Sequence, residues 1–253
     1  MDVLCCILVY AGLVSAFPGF VSLAWPLRFL GITNRGAGAI VFASGAAVAL
    51  AGFLLPAPEK RASVVESHLD DFIPAYQFRE FHEVRVQRPR ERVYAALLQV
   101  RADEILFLRT LVWIRRGGAE GPESVLNPRG DSPVLDVALR TSFLKLAEEP
   151  GREIVIGTLV AVPRGWRPKG APTVDGYRKL FGEPGFAPAV MNFRLEDAGA
   201  GETRVTSETR IFAADAATRR RFAVYWRLIY PGSALIRRMW LRAIRVRAES
   251  HPG

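Results

Sequence analysis

The chain has 253 residues, of which 50% are hydrophobic and 23% are charged, and its formal net charge is +9. This much apolar surface can build a packed core, so the composition excludes wholesale disorder. The two cysteines, Cys5 and Cys6, are adjacent and cannot form a disulfide framework. The three histidines are scattered, which excludes a His-rich metal centre, and we expect neither a metal nor another cofactor.

The N-terminal quarter contains two long uncharged segments. No Asp, Glu, Lys or Arg occurs in residues 3–27 or in residues 36–58, and a short connection, residues 28–35, joins the two segments. About 20 helical residues are enough to cross the hydrocarbon core of a bilayer. Trp25 lies where an interfacial aromatic residue is expected. Residues 1–57 are therefore predicted to form a transmembrane helical hairpin.

A cleaved signal peptide is the alternative for the first segment. Residues 14–16, Val-Ser-Ala, could serve as its cleavage site. A secretory signal begins with basic residues, however, whereas this N-terminus carries Asp2 and no Lys or Arg. A signal peptide would also leave the second apolar segment unexplained, so the hairpin is favoured.

Small residues recur at helical spacing in both segments. Such faces let helix backbones approach closely in lipid, so this stripe is expected to pack the hairpin or to make a homodimer, although alanine is common in membrane helices. The stripe consists of Ala11, Ser15 and Gly19 in the first segment and Ala39, Ala43, Ala47 and Ala51 in the second. Cys5 and Cys6 lie inside the first segment and are expected to be packing residues.

The distribution of charge around the hairpin predicts its orientation. The connection carries Arg28 and Arg35, whereas the N-terminus carries Asp2, which places the connection in the cytoplasm and the rest of the chain outside. Lys60 and Arg61 oppose this bias, because they equal the connection in basic residues. An extracytoplasmic main domain is therefore only slightly favoured.

The remaining chain is expected to be a linker, residues 58–77, followed by one domain, residues 78–253. Periodicity and turn residues predict its elements in chain order. The predicted strands are 78–87, 141–148, 152–162, 189–197 and 202–213, the predicted helices are 91–100, 102–116 and a long final helix, and the long loops are 117–133 and 163–188. Asp215 is expected to cap the final helix, and Pro231–Gly232 to bend or divide it.

This order predicts an α+β protein in which a curved antiparallel sheet wraps around a long C-terminal helix and leaves a cavity between them. Three segments carry a resemblance to the START-like (SRPBCC) superfamily. They are HEVRVQRPRERVYAALLQV, NFRLEDAGAGETRVTSETRIF and RRRFAVYWRLIYPGSALIRRMWLRAIRVRAE. The resemblance covers about 78–249 and implies a helix-grip fold with an internal apolar cavity. The superfamily includes polyketide cyclases and lipid-transfer domains, so the resemblance implies no single activity.

Motifs for catalysis are sparse. The chain has no G-x-S-x-G elbow, P-loop or C-x-x-C, and His82 is expected to be a strand residue with a local hydrogen bond. The polar positions of the last two strands are expected to form cross-strand pairs on a solvated face. In the alternative, Glu208 and Arg210, with Glu153, lie inside the cavity and anchor a ligand head group or carry acid–base chemistry.

The final helix is strongly basic, with nine arginines between Arg219 and Arg247 against Asp215 and Glu249. These arginines are expected to form a solvated face, and the alternative is a surface for anionic lipid head groups. Nucleic acid is not expected as a partner, because the aromatic residues of this helix lie on its packed side. The Pro- and Gly-rich loop 163–188 is either a lid or an ordinary surface loop.

The leading functional hypothesis is a membrane-anchored domain that binds a lipid or another hydrophobic small molecule. The residues expected to line its cavity are Phe107, Leu111, Ile156, Met191, Phe193, Val205, Tyr225, Trp226 and Tyr230, with Glu208 and Arg210 as polar members of the site. A cyclase- or aromatase-like enzyme is the second hypothesis. A membrane-tethered interaction module without a ligand is the third.

Overall fold

The structure is a computed structural model that describes residues 2–115, 117, 123, 132–168 and 170–250. The chain divides into two compact units. The first unit contains the chain up to Pro58 together with Arg220–Pro231, and the second contains Glu59–Arg219 and the chain from Gly232 onward.

The described elements are helical at both ends and mainly strands in between. The helices are α1 (Asp2–Ala24), α2 (Arg35–Leu54), α3 (His68–Phe72), α4 (Arg90–Gln99), α5 (Leu108–Arg115), α6 (Val134–Thr141), α7 (Val174–Lys179) and α8 (Ala216–Ser250). The strands are β1 (Lys60–Arg61), β2 (Ala75–Tyr76), β3 (Phe78–Val86), β4 (Leu144–Glu149), β5 (Glu153–Ala161), β6 (Ala187–Gly199) and β7 (Glu202–Ile211). The predicted α+β class, with an antiparallel sheet and a long C-terminal helix, is confirmed.

In the first unit, α1 and α2 form an antiparallel pair. A tight turn joins them, in which Gly31 adopts a φ of +77°, a conformation that favours glycine. Asn34 caps α2, since its side-chain oxygen accepts a hydrogen bond of 2.8 Å from the N–H of Ala37. Within the described residues, these two helices are the ones long and apolar enough to cross a membrane.

Glycines, rather than the predicted alanine stripe, make the contact between α1 and α2. A Cβ atom at Gly12 would collide with the backbone of Ala49, and one at Gly45 would collide with the backbone of Ala16. The predicted residues Ala11, Ser15, Ala39, Ala43, Ala47 and Ala51 are exposed within the unit, and only Gly19 of that stripe is buried. The expectation that the stripe packs the hairpin is therefore wrong for Ser15 and the alanines, because the close approaches involve Gly12, Ala16, Gly45 and Ala49. Gly19 is the one stripe residue that lies in the contact, against the backbone of Phe42. The homodimer expected from the same stripe stays a prediction.

The glycine contact leads to a test of the hairpin. We expect Gly45→Val to lower the thermal stability of the purified chain in detergent by several degrees, because the added side chain has no space beside Ala16. Ala47→Val is the matched control, because Ala47 is exposed on the same helix. If both variants melt together with the wild type, α1 and α2 do not pack as described.

In the second unit, the described residues form an antiparallel sheet of five strands in the order β3-β7-β6-β5-β4. Register shifts interrupt the ladders at Leu159/Ala161 and at Asp197/Gly199. Such shifts increase the local twist and curvature of a sheet. Strands β1 and β2 form a separate two-stranded ladder.

Both faces of the five-stranded sheet are covered. On the inner face, sheet residues Met191, Phe193 and Val205 share one apolar core with residues of α4, α6 and the C-terminal part of α8. On the outer face, Val155 and Val190 share a smaller core with residues of α3, β2 and α7. Because side chains alternate along a strand, the central strands β5 and β6 contribute residues to both cores.

Two segments predicted as irregular contain structure. The expected linker 58–77 carries β1, α3 and β2, and its residues Leu69, Phe72, Ile73 and Tyr76 are buried in the outer core. It is therefore part of the folded unit, because its short apolar run covers the sheet. The loop 163–188 contains α7 and a 3₁₀ helix over Leu180–Gly182. The predicted loop 117–133 lies largely outside the described residues.

The helix boundaries also differ from the prediction. The helix expected over 102–116 begins only at Leu108, because Phe107 has a φ of +64°, which no right-handed helix accommodates. Helix α6 was not predicted. Helix α8 continues through Pro231, which does not divide it. The expected cap is present, because Oδ1 of Asp215 accepts a hydrogen bond of 2.8 Å from the N–H of Thr218.

Candidate functional site

A polar patch interrupts the apolar inner face of the sheet. The cross-strand register pairs Glu80 with Thr209 and His82 with Ser207. These side chains point to the same face as Phe193, which lies opposite Ser207 on the neighbouring strand. Glu80, His82 and Ser207 are buried. Polar side chains are rare in such positions unless they have partners, so their hydrogen bonds are informative.

Glu80 is held by two neighbours. Nε2 of His82 lies 3.2 Å from Oε1 of Glu80, and the hydroxyl of Ser233 on α8 donates a hydrogen bond of 2.8 Å to Oε2. A carboxylate accepts hydrogen bonds, so this contact assigns the imidazole proton to Nε2. Both oxygens of the Glu80 carboxylate are therefore occupied. The hydrogen bond predicted for His82 within its own strand is present.

Arg237 reaches the patch from α8, four residues after Ser233. Its Nη2 donates a hydrogen bond of 3.4 Å to the hydroxyl of Thr209. Its guanidinium carbon lies 5.7 Å from the ring centroid of Phe193 and 5.5 Å from that of Trp240. Burial lowers the pKa of Arg237, and the charge of Glu80 only partly opposes that shift. Among the described residues, no carboxylate makes a salt bridge with this guanidinium.

Three buried polar atoms near Phe193 have no hydrogen-bond partner among the described residues. They are Oγ of Ser207, Nη1 of Arg237 and Nε1 of Trp240. The rings of Phe193 and Trp240 are in contact, with centroids 5.0 Å apart, so the three atoms surround one aromatic pair. Leaving a buried donor unsatisfied costs about 1–3 kcal/mol. This arrangement offers donors to a polar group that the protein itself does not supply. We call Glu80, His82, Ser207, Thr209, Ser233, Arg237 and Trp240 the inner polar cluster.

Sequence reasoning missed most of this cluster. One signal was available in α8, where Trp240, Ile244 and Ala248 form part of a buried stripe. Extending that stripe backwards by helical spacing reaches Arg237 and Ser233, two polar residues in line with apolar ones. Among the described residues, no group of three or more His, Cys, Asp or Glu side chains could hold a metal ion.

The residues predicted to line a cavity occupy three different environments. Four of them, Ile156, Met191, Phe193 and Val205, are buried together in the inner core. Leu111 is half-buried on α5, and Phe107 is exposed. Tyr225, Trp226 and Tyr230 belong to the first unit, where the rings of Trp226 and Tyr230 lie 5.5 Å apart. Ligand contact by these residues stays a prediction.

Glu208 and Arg210 lie on the outer face of the sheet, opposite to the inner polar cluster. Nε of Arg210 lies 2.6 Å from Glu208, and its Nη1 lies 2.6 Å from Asp70 of α3. Arg79 donates a further hydrogen bond of 2.7 Å to Glu208. The expectation of a solvated charged face is therefore wrong for Glu208 and Arg210, because α3 and β2 cover them. We call Asp70, Arg79, Glu208 and Arg210 the outer ion network.

Glu153 is also buried on this face, and it is fully engaged. Nδ2 of Asn192 donates a hydrogen bond of 2.6 Å to one of its oxygens, and the N–H of His68 donates one of 3.0 Å to the other. The contact with His68 joins β5 to the start of α3. The geometry thus gives Glu153 the role of fastening α3 to the sheet.

The outer ion network should make stability depend on pH. Burial alone would raise the pKa of Asp70 and of Glu208. Hydrogen bonds outweigh this effect of burial, so both pKa values are lowered. Asp70 accepts hydrogen bonds from the backbone of Glu66 and from Arg210. Glu208 accepts hydrogen bonds from Arg79 and Arg210. A lowered folded-state pKa contributes stability that is present above the unfolded values, about 3.9 for Asp and about 4.3 for Glu.

We therefore expect the free energy of unfolding to fall as the pH drops from about 5 through the lowered pKa values. Urea unfolding at a series of pH values measures this dependence. Asp70→Asn should be less stable at pH 7 and should lose less stability on acidification. An equal pH dependence in the wild type and in Asp70→Asn would contradict the assignment of the shift to Asp70.

No family model and no curated protein matches the chain. Among solved structures, the chain is similar to TTHA0849 from Thermus thermophilus, with 13% identity, coverage of 68% of this chain and 98% of that one, and a TM-score of 0.27. It is also similar to CalU16 from Micromonospora echinospora, with 16% identity, coverage of 76% of this chain and 92% of that one, and a TM-score of 0.25. A third similar structure is that of a conserved protein from Geobacillus kaustophilus, with 10% identity, coverage of 68% of this chain and 96% of that one, and a TM-score of 0.26. Scores this low carry no conclusion about function.

Proposed function

We propose that this protein is a membrane-anchored binder of an amphipathic small molecule, held between the sheet and α8 with its polar group at the inner polar cluster. The observation that carries the proposal is the guanidinium of Arg237, whose Nη1 is buried and unpartnered and which makes no salt bridge among the described residues. Buried charges in proteins are normally paired.

The charge of Arg237 indicates the chemistry of the ligand. An arginine side chain stays protonated, so burial cannot neutralise it. An acidic group, a carboxylate or a phosphate, would supply a counter-charge in direct contact with the guanidinium, which Glu80 does not, and would accept hydrogen bonds from it. Ser207 and Trp240 would donate further hydrogen bonds to the same group. The resemblance to the START-like superfamily, which implies an apolar cavity under the terminal helix, agrees with an apolar remainder that lies among Met191, Phe193 and their neighbours.

In this proposal, the hairpin of α1 and α2 anchors the binding domain at a membrane. Helices α1 and α2 are each long enough and apolar enough to cross a bilayer. A membrane is also the place from which an amphipathic acid is taken up or to which it is delivered. Anchoring the domain there would shorten the path of a poorly soluble ligand through water.

A cyclase-like enzyme is the second candidate, and the pairing of His82 with Glu80 favours it. The two side chains are buried and in hydrogen-bond contact, beside the position proposed for the ligand head group. An imidazole oriented by a carboxylate is a common general base. Replacing His82 by Gln should leave ligand affinity within a few-fold in the binder and abolish turnover in the enzyme.

Matched ligands test the proposal on the full chain. The protein is purified in detergent, delipidated, and titrated in native mass spectrometry with palmitate and with hexadecanol, which differ only in the head group. Lysophosphatidic acid serves as the phosphate probe. We expect the acids to bind at least tenfold more tightly than the alcohol. Equal binding of acid and alcohol, or binding of none of the three, overturns the proposal.

A further inference from the structure

The first unit fixes part of α8 at one end of the hairpin. Arg227 of α8 is buried, and its guanidinium donates hydrogen bonds to the carbonyl oxygens of Phe53 and, at 2.5 Å, of Leu55. These carbonyls lie at the C-terminal end of α2, where helical carbonyls lack partners and where the helix dipole favours a cation. From the other helix, the hydroxyl of Tyr10 donates a hydrogen bond of 2.5 Å to the carbonyl of Leu228.

These contacts place residues 220–231 at the level of a membrane boundary. Uncharged sequence ends close to Leu55, and charged residues return at Glu59. A segment bound to Phe53 and Leu55 therefore lies where a spanning α2 would leave the hydrocarbon. Tyr225 and Tyr230 are half-buried in this segment, and such aromatic residues are enriched at membrane–water interfaces.

The segment also presents an exposed amphipathic face. Val224 and Leu228 are each 43% exposed and lie one helical turn apart. Arg220 is exposed and lies one turn before Val224, so it shares their side of the helix. A face that combines exposed aliphatic side chains with arginine is typical of a helix lying in the plane of an anionic bilayer surface.

We infer that residues 220–231 form an interfacial segment that binds the surface of a bilayer containing anionic phospholipid. The inference rests on the membrane-anchoring part of the proposed function. It assigns the lipid contact to one portion of the basic helix. Two other arginines of α8 are occupied elsewhere, since Arg237 lies in the inner polar cluster and Arg247 makes an ion pair of 2.8 Å with Glu104.

Spin labels on the full chain measure this contact. Nitroxides are attached to Val224→Cys and Leu228→Cys in a Cys5→Ala/Cys6→Ala background, in nanodiscs of phosphatidylcholine with or without phosphatidylglycerol. Val246→Cys is the matched control, because Val246 is on the same helix, is also 43% exposed, and belongs to the second unit. We expect the ratio of oxygen to nickel accessibility to be several-fold higher at 224 and 228 than at 246, and to rise with phosphatidylglycerol.

A charge variant tests the electrostatic part. Arg220→Gln should remove most of the phosphatidylglycerol dependence at position 224, and added salt should do the same in the unmodified background, because salt screens exposed charges. Arg245→Gln is the control, since Arg245 is exposed on the same helix outside the segment. An equal effect of the two variants overturns the inference.

Alkaline extraction separates this inference from the proposed function. If carbonate releases the chain from membranes, anchoring itself is wrong. The chain could instead stay in the membrane while the labels at positions 224 and 228 are as water-exposed as the label at 246, or do not respond to phosphatidylglycerol. In that case only the inference of an interfacial segment is wrong.

Discussion

Replacing Arg237 by Leu is expected to abolish binding of an acidic ligand without unfolding the protein. Losing one partner of a buried, hydrogen-bonded charge pair costs about 2–5 kcal/mol, which corresponds to a roughly 30-fold or greater rise in Kd. In the ligand-free protein, by contrast, the same change removes a desolvated charge that has no salt bridge among the described residues. The free energy of unfolding of the delipidated chain should therefore stay the same or rise.

Weaker ligand binding without a loss of stability distinguishes this outcome from a general loss of folded structure. Titration with palmitate and urea unfolding of the same delipidated preparation give the two quantities. Arg245→Leu is the matched control, because Arg245 is exposed on the same helix and the change of residue type is identical. Arg237→Lys, which keeps the charge but loses the bidentate geometry, should bind at an intermediate level. Unchanged palmitate affinity in Arg237→Leu, or a large loss of stability, would show that Arg237 is a structural residue.

Replacing Arg210 by Met is expected to destabilise the second unit by about 3–5 kcal/mol. Arg210 is buried between Asp70 and Glu208, and it also donates to the carbonyl of Ile73 at 3.3 Å. Its removal leaves two buried carboxylates without their shared cation. It also loosens α3 from the sheet, since Asp70 and Ile73 belong to the segment that covers the outer face.

Arg79 provides the control for this prediction. It binds the same carboxylate, Glu208, but its side chain is 41% exposed. Exposed ion pairs contribute about 0–1 kcal/mol, so Arg79→Met should cost far less than Arg210→Met. Urea unfolding measures both variants, and palmitate binding, measured below the unfolding transition, should be unaffected in both. A loss of binding in Arg210→Met with intact stability would instead support the ligand role that the sequence predicted for Glu208 and Arg210.

These two predictions test the two faces of strand β7 separately. Ser207 and Thr209 point to the inner polar cluster, whereas Glu208 and Arg210 point to the outer ion network. Alternation along a strand places Ser207 and Thr209 on one face and Glu208 and Arg210 on the other, and this division can be read from the sequence. What the alternation could not reveal was that helices cover both faces of the sheet, so the charged set appeared to belong to solvent.

The sequence by itself determined whether a segment is helix or strand where a hydrophobic pattern extends clearly over many residues. The two uncharged segments, the strands over 78–87 and 202–213, and the capped final helix all have counterparts in the structure. In each of these, local chemistry is sufficient, because apolar length, alternation or a capping carboxylate acts within a few residues. The resemblance to the START-like superfamily added the expectation of a helix-grip fold with an internal apolar cavity, and it implied no single activity.

Only the tertiary structure decided which residues meet. Glu80 and Ser233 are 153 positions apart in the chain, and Arg210 and Asp70 are 140 apart. Nothing within either segment indicates its partner, because the pairing depends on strand register and on the rotation of α8 over the sheet. The segment 58–77 shows the same limit. Its apolar residues are too few to give a period, and they became a folded layer only because the outer face of the sheet required a cover.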